Sequence, residues 1–335
     1  MYASASMARL KAARRLTKRA LRQRERAFLA EGPQAVAEAL ATGARVTGLF
    51  VTAPAQARHA DLVAQAEAAG VDTSLVSGEV MSELAQTVTP QGLLAVCDFV
   101  DVPLDQVTAA KPALVALLAN VRDPGNAGTV LRAADAAGAD AVIFADASVD
   151  VYNGKCVRAS AGSLFHLPVV AGVRLAPTVA ALKGAGLRVL AADGAGDRTL
   201  DDPGTRAALS APTAWLFGNE AWGLPDDLLA LADESVAVPI YGRAESLNLA
   251  AAAAVCLYAS AQSLFGPGGT VHRAPRAGAP ALLERHRLML RSIMITSRCP
   301  RNGGRRIPRI GYLRYDVAKS PNVGTVLRAG KHARV

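Results

Sequence analysis

The stretch NVRDPGNAGTVLRAADAAGADAVIF, residues 120–144, decides how the chain folds. Its lead-in, ALVALLANV (113–121), is a short and almost purely apolar run, as expected of a strand buried on both faces. Asp123, Pro124 and Gly125 make a tight loop, a helix is expected over about 127–137, Gly138 stops it, and AVIF opens a second strand. Asn126 stands where a helix cap would, with a side chain able to bond the free N–H groups of the first turn. Arg132 lies about two turns along, on a face different from Val130 and Leu131. Read singly, Asn126 is explained as a cap and Arg132 as a surface cation lying along its own stem.

The remainder of this half repeats the pattern. After YNGKCVRASAGSLFHLPVV come a helix over 177–184, a strand LRVLAA, and a strand AWLFGNEAWGLP ending in a Gly-containing loop. A short strand, VAVPI, and a third loop, YGRAESLNLA, feed an alanine-rich helix over 247–264. Three strand ends, each followed by a loop rich in Gly, Asn, Ser or Glu, are where α/β sheets gather ligands. DGAGDR (193–198) begins like a dinucleotide fingerprint, but Thr199 stands in place of the third glycine and no helix opens there. There is no P-loop and no G-x-S-x-G elbow.

Upstream, helix and strand alternate in smaller pieces. A helix near 33–42 leads to a strand at Val46–Thr52, a helix near 58–69, a strand at Asp72–Val76, a helix at 78–85 and a strand at Gly92–Phe99. DVPLDQVTAAKP (101–112), with two prolines and no clear period, reads as a linker. The first basic segment, ending at RERAFLAEG, reads as a basic helix with Leu10, Ala13, Leu16, Ala20 and Leu21 near helical spacing. It also has the composition of an organelle transit peptide, although the helix runs straight into a helix-and-strand pattern that needs it. The expected organisation is a small α/β domain over 8–100, the linker 101–112, a second α/β domain over 113–265 and a basic extension over 266–335.

The net charge of +9 is unevenly spread: residues 1–26 hold nine Lys/Arg against one acid, 27–265 hold 13 against 25, and 266–335 hold 15 against two. Basic ends flanking an acidic middle point to a polyanion partner, or to solvated tails. The four cysteines, Cys97, Cys156, Cys256 and Cys299, form no C-x-x-C pair, and the five histidines form no H-x-x-x-H pair, so no metal site is expected and a reducing cytoplasm fits. No apolar run reaches the roughly 18–20 residues needed to span a bilayer, so no membrane partner is expected.

Three ordered stretches, NVRDPGNAGTVLR, LFGNEAWGL and VPIYGRAESLNLAAAAA, resemble the three motifs of the SpoU family, the TrmH-like RNA ribose 2′-O-methyltransferases. VRASAGSLFHLPV resembles that family's connecting segment, and RERAFLAEGPQAVAEAL with TPQGLLAV resembles the substrate-binding domain preceding the catalytic one in many members. The resemblance covers about residues 9–264. It implies a trefoil-knotted α/β methyltransferase domain, S-adenosylmethionine as methyl donor, and a homodimer. It also implies catalytic positions at Asn126, Arg132, Glu220, Ser246 and Asn248, and donor-binding positions at Gly218, Asn219, Ile240 and Leu247. Glu220 is equally readable as a brace behind the second loop. The expected substrate is ribosomal RNA; transfer RNA, or a catalytically silent RNA-binding role in ribosome assembly, are the alternatives.

NVGTVLRAGK (322–331) nearly repeats NAGTVLRAAD (126–135). No strand follows the second copy, so only the first is expected to build a site.

Overall fold

The computed structural model describes residues 5–85 and 87–266. The chain opens with helices α1 (Met7–Arg15) and α2 (Arg19–Glu25) and strand β1 (Ala27–Glu31). Then come α3 (Pro33–Ala41), β2 (Val46–Val51), α4 (Ala53–Arg58), α5 (Ala60–Ala68), β3 (Asp72–Leu75), α6 (Gly78–Ala85) and β4 (Leu93–Asp98). Four strands pair in the order β1-β4-β2-β3, with β4 antiparallel to both neighbours. One face of this sheet, carrying Leu29, Phe50 and Leu94, packs on Leu10 and Ala13 of α1 and on Met81 and Leu84 of α6. The other, carrying Phe28, Leu49 and Ala95, packs on α3 and α5 through Val36, Ala39 and Val63.

Two expectations are corrected here. The basic segment is not one helix: it breaks after Leu16, and RAFLAEG holds β1. The helical spacing holds as far as Leu16, but Ala20 is exposed and Arg22 buried, and Arg26 turns the chain through a left-handed conformation, φ 50°, into the strand. The stretch 101–112 contains a helix, α7 (Leu104–Ala109), held by burial of Val107. In addition, the helix expected near 58–69 is two, α4 and α5.

Beyond α7 run β5 (Leu114–Leu118), α8 (Pro124–Ala136), β6 (Ala141–Ala145), α9 (Gly154–Ser160), a 3-10 turn (Ser163–Phe165), β7 (Val169–Val173), α10 (Leu175–Gly184) and β8 (Arg188–Ala192). β9 (Arg198–Thr199), α11 (Pro203–Ala208), β10 (Thr213–Phe217), α12 (Asp226–Leu229), β11 (Glu234–Ala237) and α13 (Leu249–Phe265) complete it. The seven strands form a parallel sheet in the order β7-β6-β5-β10-β8-β11-β9. β5, β6 and β10 are buried at every residue, because both faces are covered. Val115, Leu117, Ile143 and Leu216 meet α7 and α10 through Val107, Val179 and Leu182. Alternate residues Leu114, Ala116, Leu118, Phe144 and Trp215 meet α8, α9 and α13. α8 and α9 touch at Gly128, where a Cβ would lie 2.3 Å from the Cys156 carbonyl oxygen and 2.7 Å from the Ala159 Cβ.

The sheets are joined by polar clamps as well as by a common core. Arg22 donates from Nε and Nη2 to Asp150 Oδ2 at 3.0 and 2.6 Å, both side chains only 6 % exposed. The third guanidinium nitrogen, Nη1, reaches the carbonyls of Leu16 and Thr17, so every nitrogen of the buried cation is hydrogen-bonded. Tyr152 Oη accepts from Val100 and Asp101 N–H and donates to Asp101 Oδ1 at 2.6 Å. His166 bridges Asp135 of α8 (Nδ1, 2.7 Å) and Glu38 of α3 (Nε2, 3.0 Å). The Asp135 contact leads in holding the imidazole protonated, with a pKa raised to about 9. The expected basic extension beyond Gly266 and the second copy of the repeated word lie outside the described residues.

Candidate active site

The loop between β5 and α8 starts at Asn120, whose φ of 59° is a left-handed conformation that asparagine tolerates better than most side chains. This turns the Asn120 carbonyl toward the loop after β10, where Asn219 Nδ2 donates to it at 2.8 Å. The helix after the loop starts earlier than the sequence suggested. Pro124 occupies the first turn and Asp123, not Asn126, is the cap, accepting from the Asn126 N–H at 2.8 Å. Proline lacks the N–H that the first turn cannot satisfy, so α8 begins there and frees the Asn126 side chain. The Asp123 carboxyl is held below its usual range, first by Lys155 Nζ at 2.6 Å and then by that cap bond.

The second loop, 218–224, is a closed knuckle. Asn219 and Gly223 exchange both backbone hydrogen bonds, at 2.9 and 3.0 Å, and Asn219 Oδ1 accepts from Ala221 N–H. Gly218 lies so near the far side of the knuckle that a Cβ would sit 2.5 Å from the Gly223 carbonyl oxygen. The third loop runs from Pro239 to Leu247 without regular structure and ends at Asn248, the cap of α13.

A relay of three side chains ties these loops together. Asn248 Oδ1 accepts from Ala250 N–H at 2.9 Å, which fixes its amide and aims Nδ2 at Asn126 Oδ1, 3.1 Å away. Asn126 is thereby fixed too, with Nδ2 donating to Glu220 Oε1 at 3.2 Å. The Glu220 carboxylate also accepts from the N–H groups of Asp123 and Arg122 at 3.2 and 3.3 Å. Residues 94 and 122 positions apart in the chain thus act as one unit, with Glu220 bracing the first loop.

Beside the relay a cavity of about 440 Å³ opens over the ends of β8, β10 and β11. Gly218, Asn219, Glu220, Ile240, Ser246 and Leu247 all line it; Asn126, Arg132 and Asn248 do not. Its wall includes three carboxylates, Asp193, Glu220 and Glu245, and, among the described residues, no Lys, Arg or His. Arg132 is exposed and makes no hydrogen bond or ion pair to another described residue. Six positions beyond Asn126, it lies about 9 Å further along the helix axis. The roles of Asn120 as the turn beneath Asn219 and of Asp123 as the helix cap escaped the sequence reading. The Asp-Pro pair before a helix was the available signal for Asp123, whereas nothing local marked Asn120. Among the described residues no helix is long and apolar enough to cross a membrane.

Residues 113–258 match the SpoU rRNA Methylase family, and residues 8–95 match the MRM3-like substrate binding domain. The chain is 36% identical over 240 residues to the 23S rRNA (guanosine(2553)-2′-O)-methyltransferase RlmP of Bacillus subtilis, covering 71% of this chain and 89% of that protein. The chain belongs to the SpoU rRNA methylase family. Solved structures agree with this placement. The AdoMet-bound rRNA methyltransferase from Sinorhizobium meliloti matches with a TM-score of 0.66 and 30% identity over 78% of this chain and 97% of that one. The SpoU methyltransferase AviRb from Streptomyces viridochromogenes, in complex with AdoMet, matches with a TM-score of 0.66 and 30% identity over 76% and 98%. This SpoU methylase thus pairs a catalytic α/β domain with an N-terminal match to a substrate-binding domain.

Proposed function

We propose that this chain transfers a methyl group from S-adenosylmethionine to the 2′-hydroxyl of a ribose in ribosomal RNA, using the three-loop site. The observation that carries the reading is the charge of the cavity. Three carboxylates and no facing cation suit a ligand that is itself cationic, and disfavour a phosphate backbone. S-adenosylmethionine fits: it carries a sulfonium and an ammonium, and about 440 Å³ falls within the roughly 300–1,000 Å³ of small-molecule sites. Gly218, Asn219, Ile240 and Leu247 would hold it, with the second loop kept in shape by its own hydrogen bonds. When bound, the donor supplies an electrophilic methyl carbon.

The protein's remaining tasks are to place the hydroxyl and ease the loss of its proton. A guanidinium stays charged at neutral pH, so Arg132 serves as a clamp on the adjacent phosphate and a stabiliser of the developing alkoxide rather than as a base. Asn126, Asn248 and Ser246 supply neutral hydrogen bonds at the mouth, and Glu220 fixes Asn126. The arginine lies outside the cavity wall, as befits a residue that meets the RNA backbone while the sugar alone enters. Residues 8–100 serve as the RNA-binding domain, joined through 101–112 to the methyltransferase domain of 113–265.

A homodimer completes the reading. Val255 and Tyr258 of α13 are 44 % and 46 % exposed, and a hollow of about 560 Å³ beside them is lined by Leu209, Val238, Tyr241 and Leu247. A second copy of the chain covers this apolar face. The trefoil knot implied by the family resemblance belongs to the same reading. So does a cytoplasmic location, in keeping with the buried, unpaired thiols of Cys97, Cys156 and Cys256.

The test is transfer of labelled methyl from S-adenosylmethionine to unmodified ribosomal RNA, followed by mapping of the modified ribose. Arg132→Ala should abolish label on RNA and leave the melting temperature within about 1 °C, since exposed substitutions away from contacts change stability little. Label on transfer RNA alone, or RNA binding without label, would overturn the proposal.

A further inference from the structure

We infer that Asp193 recognises the ribose hydroxyls of the methyl donor. The inference rests on placing S-adenosylmethionine in the cavity over β8, β10 and β11. Asp193 follows the last residue of β8 and lines that cavity with Gly194. It opens the DGAGDR segment, which resembles a dinucleotide fingerprint without completing one.

The structure gives this turn a different use. The Asp193 N–H donates to the Val236 carbonyl at 3.1 Å, and its own carbonyl accepts from Gly196 N–H at 3.1 Å. Gly196 packs against β11 so closely that a Cβ would lie 2.8 and 2.9 Å from the backbone nitrogens of Val236 and Ala237. The backbone of the turn is therefore fixed to the sheet. The half-buried carboxylate accepts from Ala195 N–H through Oδ1 at 3.3 Å, and Oδ2 takes no hydrogen bond from a described residue. One acceptor is held ready at the cavity wall.

The order of the strands says which part of the ligand it meets. The relay of Asn248, Asn126 and Glu220 stands on the β5 side of β10, so the transferred methyl belongs at that end. The apolar stretch Val238, Pro239 and Ile240, which follows the last residue of β11 and lines the cavity beyond β8, suits the adenine. β8 lies between, about 4.8 Å from β10, which is where the sugar joining these two ends must lie. A carboxylate accepts and never donates, which matches a vicinal pair of hydroxyl donors. Of the other two carboxylates, Glu220 is engaged by the first loop and Glu245 stands on an exposed one.

The experiment is calorimetric binding of S-adenosylhomocysteine and of 5′-methylthioadenosine, which keeps the ribose and adenine but lacks the amino acid. Asp193→Ala should weaken both by about tenfold to a hundredfold, as expected for a charge-assisted hydrogen bond, and Asp193→Asn should fall between. The 3′-deoxy form of 5′-methylthioadenosine should bind the wild type more weakly and lose little more on Asp193→Ala. Loss of S-adenosylhomocysteine alone would assign Asp193 to the ammonium group and overturn the inference, as would unchanged affinity for both ligands. Leu247→Arg keeps the parent reading separate: it adds a cation to the wall at an exposed position and should abolish binding of both. If the wild type binds and Leu247→Arg binds equally well, the placement of the donor in this cavity fails, whatever Asp193 does.

Discussion

Asn248 performs two tasks with one amide, and they can be separated. Its oxygen caps α13 through Ala250 N–H, and its nitrogen donates to Asn126. Asn248→Ala removes both, and loss of a cap costs about 0.5–2 kcal/mol. For a domain of this size that lowers the melting temperature by about 2–4 °C for each kcal/mol. Asn248→Asp keeps the capping oxygen and adds a negative charge at the helix N-terminus, favourable by about 0.3–1 kcal/mol. It removes the donor, however, and sets a carboxylate oxygen against Asn126 Oδ1 where the two atoms were 3.1 Å apart. Asn126 can relieve that only by turning its amide, which points its oxygen at Glu220 instead. One acceptor-to-acceptor contact remains either way, at a cost of about 1–3 kcal/mol, or roughly tenfold to a hundredfold if the relay must be intact in the transition state. The expected result is that Asn248→Asp, which keeps the cap, melts above Asn248→Ala while methylating ribosomal RNA at least about tenfold more slowly. Calorimetry and single-turnover methyl transfer on the same preparations check this. Wild-type activity in Asn248→Asp, or a melting temperature lowered to that of Asn248→Ala, would refute the relay as a functional unit.

Gly128→Val should destabilise strongly, by about 3 kcal/mol or more, because the new side chain enters the contact of α8 with the backbone of α9; chemical denaturation measures it. His166 should make stability fall in alkaline solution. Its folded pKa, raised to about 9 chiefly by Asp135, lies above that of a free imidazole, so its contribution is complete below about pH 6.5 and lost as the pH rises through about 9. With the ring about a third exposed, solvent screening reduces that contribution to about 1–2 kcal/mol. His166→Gln should therefore melt lower than the wild type at pH 6, with the gap closing by pH 10; a gap independent of pH would exclude the ion pairs as its source.

The catalytic half was legible because its physics is local. Fully buried parallel strands read as unbroken apolar runs, and the three loops between strand and helix declare themselves in Gly, Asn, Ser and Glu. What stayed hidden depends on distant partners. β1 offers three buried residues, Phe28, Leu29 and Ala30, between charged neighbours; only pairing with β4, some 67 positions later, makes it a strand. The cap of α8 lies three residues before Asn126, because the Asp-Pro pair and not the asparagine sets the helix start. Asn120 is an ordinary strand-end residue until Asn219 claims its carbonyl. The alternatives left open for Glu220 were chemistry or a brace behind its own second loop; its three hydrogen bonds run instead to the first loop.

The charges follow one logic on two scales. Across the chain, the stretch 27–265 is acidic, with 13 Lys/Arg against 25 Asp/Glu, whereas 15 cations against two acids lie beyond it. Within the site, the cavity over β8, β10 and β11 has three carboxylates in its wall, while Arg132 stands exposed on α8 outside it. An acidic body binding RNA without such a division would repel its substrate everywhere, since each phosphate meets the protein's field long before contact. Under the proposed function, the division draws RNA to basic residues and keeps its phosphates away from the cavity. The duplex or loop is then held at a distance from the donor, and a single sugar must be presented to reach it. With the donor in this cavity as proposed, the carboxylates contribute to specificity twice, by attracting a cationic ligand and by keeping phosphate out of the place where a hydroxyl must stand.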